Sequence, residues 1–197
     1  MGRISRKAIS TMNFVMRQLR GTNQEIKEKA YLSLIRPIVE YASSTWDPYR
    51  LGEVKDIEKV QRMAARRVTG RTKRFIIKKN AKGKDVIVFE KPSEMVQELG
   101  WSSLASRRKN DRLCSLFRAV EGRGGWKELR EKIEGDCLRN RCRGGNEKRI
   151  VVKGSRKDVG KHSFLNRTGT EWNKLDEAIF TKSENNVKKF RKLLANL

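Results

Sequence analysis

Between Lys59 and Lys84 the chain carries eleven lysines and arginines and neither an aspartate nor a glutamate. Like charges gathered on one segment repel each other and lower the stability of a compact state. Whatever this stretch folds into must spread its cations over the surface. The negative charge that would balance them has to come from outside, and an external polyanion is the natural source.

Helical periodicity resolves the first part of the stretch. Over residues 53–69, Ile57, Val60, Ala64 and Val68 recur at helical spacing and predict a helix with one packed stripe. At 100° per residue Lys55, Lys59, Arg62 and Arg66 fall on the opposite arc as a ladder of cations. Asp56 and Glu58 near its start are the only acidic neighbours at a spacing suited to intrahelical pairs.

The same excess runs through the whole chain. A formal charge of +24 over 197 residues, with a pI near 10.5, is the signature of a nucleic-acid or membrane-surface binder. No apolar run approaches the ~20 residues that a membrane-spanning helix needs, and "MGRISRKAIS" has no apolar core of a secretory signal behind its charges. Residue 6 is Arg, so Gly2 does not open a myristoylation motif. Three cysteines, Cys114, Cys137 and Cys142, show no disulfide framework and point to a reducing compartment. The expected location is nuclear or cytoplasmic, with a nucleic acid as partner and no membrane.

With 37% hydrophobic residues the chain can build a core. The expected fold is mainly α: a helical bundle with a small β-hairpin near 75–89 and a flexible basic segment. Ile4, Ala8, Met12, Val15 and Leu19 predict a first helix that Gly21 ends. Thr22 and Glu25 have the spacing of a capping box for a second, carried by Ile26, Ala30, Leu34, Ile38 and Tyr41. Pro37 should kink it near residues 33–37, and "WDP" at 46–48 closes it. "FIIKKNAKGKDVIVF" reads as two β-prone runs about a turn. Pro92 and Gly100 bracket a short helix, and a long one follows through Leu104, Leu113, Leu116, Phe117 and Val120. Three parts are expected: a nucleic-acid-binding helical domain at 1–121, a flexible Gly-rich basic linker at 122–161, and a helical segment at 162–197.

Five blocks in order carry a resemblance: "RPIVEYASSTWDPY", "IEKVQRMAARRVTG", "ELGWSSLASRRKNDRLCSLF", "SFLNRTGTEWNKLDE" and "VKKFRKLL". Together they resemble the C-terminal thumb and tail region of jockey-like non-LTR retrotransposon reverse transcriptases, which are RNA-directed DNA polymerases. "NFVMRQLRG" is similar to the segment that joins this region to the polymerase palm. Asp176 departs from the pattern, standing where the family often has a proline. The resemblance implies a piece of a mobile-element protein that grips template–primer, with the upstream palm domain as a second partner.

The chemistry of polymerisation is not expected in this chain. Two-metal catalysis needs carboxylates placed to hold two ions, and the seven aspartates are scattered with no Asp-Asp pair. The chain alone is therefore read as no enzyme. The alternative is a small metal-dependent nuclease built on carboxylates such as Asp85 and Glu90. Cys114, Cys137, Cys142 and His162 fit no common zinc spacing, so no cofactor is expected. Asn166-Arg-Thr168 matches a glycosylation acceptor by coincidence, given no secretory signal. Trp46, Trp101 and Trp172 are expected to pack, and Tyr49 and Phe75 are the better candidates for base stacking. The candidate nucleic-acid contacts are Lys55, Lys59, Arg62, Arg66, Arg67, Arg71, Lys73 and Arg74, together with Arg107 and Arg108 on the later helix.

Overall fold

The computed structural model describes residues 2–71, 75–79, 83, 85–89, 91–122, 128–131, 133 and 149–196, with 75–79 and 86–89 described as backbone only. These residues are mostly helical and fall into two compact units. The first comprises Met1–Ala42 with Pro48–Ser106, the second Ser43–Asp47 with Arg107–Leu197. The division falls between Ser106 and Arg107.

In the first unit, α1 (Gly2–Gln18) buries Ser5, Ala8, Met12 and Met16, a spacing of three and four that puts them on one face. The next helix, α2 (Gln24–Ala30), differs from expectation at its start. Its cap is Asn23, whose side chain accepts the Ile26 N–H at 3.0 Å. Thr22 instead donates its hydroxyl to the Leu19 carbonyl at 2.9 Å and closes the end of α1. Both residues are good cap formers, and the one nearer the first apolar residue of α2 has the role.

The proline expected to bend the second helical run does so by widening it. Pro37 has no N–H to give to the Ser33 carbonyl. The Arg36 N–H reaches back to the Tyr31 carbonyl, and Tyr31–Ile35 becomes a π-helical turn before α3 (Arg36–Glu40) resumes. The turn buries Tyr31 and Ile35. Tyr31 stacks on Trp101 at 4.5 Å between ring centroids, and Trp101 donates its indole N–H to Glu28 at 2.8 Å.

Helix α5 (Leu51–Val68) follows α4 (Ser43–Trp46) and packs against α1. Ile57, Val60, Gln61, Ala64, Ala65 and Val68 are buried along it. Burial of side chains such as Ile57 and Val60 contributes roughly 1.5–3 kcal/mol each. Helix α6 (Pro92–Glu98) ends on Gly100 at φ +64°, where the Gly100 N–H bonds Gln97 and the Trp101 N–H bonds Val96. That is the double closure a left-handed residue makes possible, and glycine adopts it without steric cost.

Helix α7 (Leu104–Val120) supplies the second unit with Leu113, Cys114, Leu116 and Phe117. Residues 128–131 and 133 are helical (α8), and α9 (Asp158–Lys161), α10 (Phe164–Trp172), α11 (Glu177–Ser183) and α12 (Val187–Ala195) follow. The core of this unit is aromatic. Phe117 stacks on Phe190 at 4.4 Å, and Trp172 meets Phe180 at 4.6 Å. Asp176 caps α11 by accepting the Ala178 N–H, a role a proline cannot fill.

Part of the expected linker belongs to this core. Ile133 and Ile150 are both buried in it. Asn173 holds Ile150 with both ends of its amide, accepting the Ile150 N–H at 3.0 Å and donating to the Ile150 carbonyl at 2.8 Å. Residues 123–127, 132 and 134–148 of that linker lie outside the described residues.

Candidate nucleic-acid interface

Helix α5 turns its apolar stripe inward and so fixes where its cations stand. Lys55, Lys59 and Arg66 are exposed, while Arg62 and Arg67 are half-buried. Lys55 to Arg66 covers eleven residues, about 16 Å along the axis. Among the described residues none of these five side chains forms an ion pair, and Arg62 makes only a long contact of 3.4 Å with the Lys55 carbonyl.

For Arg62 the reason lies in Glu58. It stands four residues before Arg62, the spacing of an intrahelical ion pair. Its carboxylate instead accepts the Ala105 N–H at 2.7 Å, in the first turn of α7. Unpaired N–H groups and the positive end of the helix dipole favour an anion there. The acid spaced to neutralise Arg62 is committed to another helix. Buried Gln61 secures the same junction by donating to the Ser102 carbonyl at 3.0 Å.

The other candidates divide. Arg71 is ion-paired with Glu98 of α6, so part of its charge is already answered. Lys73 and Arg74 lie outside the described residues, as do the Phe75 side chain, Glu90, Cys137 and Cys142. Arg107 is half-buried. Arg108 corrects the expectation: its side chain is 1% exposed and donates its Nε–H to Asp47 at 2.7 Å. Asp47 also receives Arg112, and Arg167 approaches its carboxylate at 3.2 Å. Arg112 reaches on to Glu171 at 2.6 Å. Burial, which disfavours the charged form, lowers the pKa of Arg112 and of Arg167 from the ordinary arginine value, and Glu171 opposes the shift. A guanidinium so enclosed is a structural member and offers nothing to a phosphate.

Sequence reading missed this network because its acids and bases are far apart in the chain. It also passed over the cations of α1, although the absence of any acid before Glu25 marks them. The aromatic candidates are placed mostly as packing. Trp101 is half-buried and stacks on Tyr31, Trp172 stands in the core of the second unit, and Tyr49 has the Arg50 guanidinium 5.9 Å from its ring centroid.

Among the described residues no group of three or more His, Cys, Asp or Glu is gathered as a metal site, and Asp85 is exposed. No helix of the described residues is long and apolar enough to cross a membrane. No protein-family model, curated protein or solved structure matches the chain.

Proposed function

We propose that this chain is a nucleic-acid-binding module, the thumb and tail of a polymerase of the retrotransposon type it resembles, gripping template–primer through phosphate contacts and doing no chemistry itself. One observation carries the reading: a ladder of four cations on α5, opposite its buried stripe, with Glu58, the acid four residues before Arg62, engaged elsewhere. Lys55, Lys59, Arg62 and Arg66 form the track, with Arg67 beside it. Arg71 adds less, because Glu98 holds it. Phosphate contacts position a duplex and give affinity with little sequence preference. The palm that would supply the catalytic carboxylates is the second partner, and a nuclear or cytoplasmic location follows from the ligand.

The test replaces Arg62 and Arg66 with Ala and measures binding to unrelated duplexes and RNA–DNA hybrids over a salt series. Affinity should fall by a similar factor on every sequence, and each lost contact should reduce the salt slope by roughly 0.9 on duplex DNA. An unchanged affinity and slope would return the ladder to an ordinary solvated face.

A further inference from the structure

Helix α1 presents an aromatic ring in the middle of a cationic face. Arg3, Arg6, Lys7, Ser10, Phe14 and Arg17 occupy one arc about 100° wide, opposite the buried Ser5, Ala8, Met12 and Met16. Arg3, Arg6, Lys7 and Arg17 are exposed, and none of them is ion-paired among the described residues. Phe14 is 57% exposed. It sits between Lys7 and Arg17, which are about 15 Å apart along the axis.

We propose that this face is a binding site for single-stranded nucleic acid, with Phe14 as the stacking platform for one base and the arginines and lysine on either side holding the flanking phosphates. Tracks that follow a single strand combine cations for the backbone with an aromatic for the bases. A duplex cannot use the ring, because its bases are already stacked on each other. An anionic membrane is the less suited occupant. A helix lying in the interface buries a broad apolar face, and the apolar face of α1 is spent on its own unit. The site stands on α1 alone and does not require the α5 ladder.

The experiment uses the full chain with four probes: a poly(dT) strand, a duplex of the same length, an abasic strand, and phosphatidylserine vesicles. Phe14→Ala should weaken poly(dT) binding by roughly tenfold, in the range found for base–aromatic stacking. It should leave the salt slope, duplex binding and abasic-strand binding unchanged, and Phe14→Trp should restore the poly(dT) affinity. Wild-type affinity for poly(dT) in Phe14→Ala overturns the proposal, as does an equal loss on the abasic strand. A loss confined to vesicles overturns it in favour of a membrane contact. Arg62→Ala with Arg66→Ala separates the two sites, since that variant should lose duplex affinity and keep the Phe14 dependence on poly(dT).

Discussion

Asp47 accepts the Nε–H of Arg108 at 2.7 Å with both side chains almost entirely out of water. The same carboxylate meets Arg112 and Arg167, so one acid just after α4 ties together two helices of the second unit, α7 and α10. Three guanidiniums share two carboxylates, Asp47 and Glu171. Removing one partner of a buried ion pair leaves an uncompensated charge, which is far more costly than the pair is favourable.

Asp47→Ala should therefore destabilise the protein by about 3–5 kcal/mol, seen as a large drop in the urea midpoint. Arg108→Ala should also lose stability while leaving the salt slope of duplex binding as it was. A reduced slope with unchanged stability would restore Arg108 to the phosphate track.

Glu58 provides a subtler test of the ladder. Glu58→Ala removes the acceptor from the first turn of α7 and should cost about 1 kcal/mol, the usual scale for a lost helix cap. It should leave duplex affinity close to wild type, apart from the screened effect of one charge, because Arg62 is not its partner. A gain of tenfold or more would mean that Glu58 had been neutralising the ladder in solution.

The parts of the fold that were legible are those in which local pattern and tertiary contact agree. Helix α5 is one: Ile57, Val60, Ala64 and Val68 are periodic in sequence and buried in structure. Asn23 was less legible, because Thr22 carries the stronger motif and only the hydrogen bonds distinguish them. Arg108 was illegible. A lone arginine reads as solvated until its carboxylate is known, and Asp47 lies 61 residues away. Ile150 was hidden for a similar reason, set in a basic Gly-rich stretch and held by Asn173, 23 residues further on. The α5 ladder was visible as charge, but the step that leaves Arg62 unpaired depends on where Glu58 points.

Cys114 links burial to an alkaline dependence. It lies in the core of the second unit beside Leu113, Leu116 and Phe117. Burial raises its thiol pKa because the thiolate cannot be solvated there, while Arg191, itself paired with Asp111 at 2.9 Å, opposes the shift. The native state thus holds this proton more tightly than the unfolded chain does. Below the ordinary thiol value of about 8.5 both states are protonated, and the stabilisation is fully present. As pH rises past that value the unfolded chain loses its proton first, and the contribution is lost as pH climbs through the raised native pKa. Wild-type stability should decline over this window more steeply than that of Cys114→Ala, whose overall level is lower because a buried sulfur has been removed. Iodoacetamide with peptide mapping gives an independent check: Cys114 should stay unmodified in the native protein and react once urea is added. Modification of native Cys114 at the rate of a free thiol would show that this core opens locally, and the steeper alkaline decline would then not be seen.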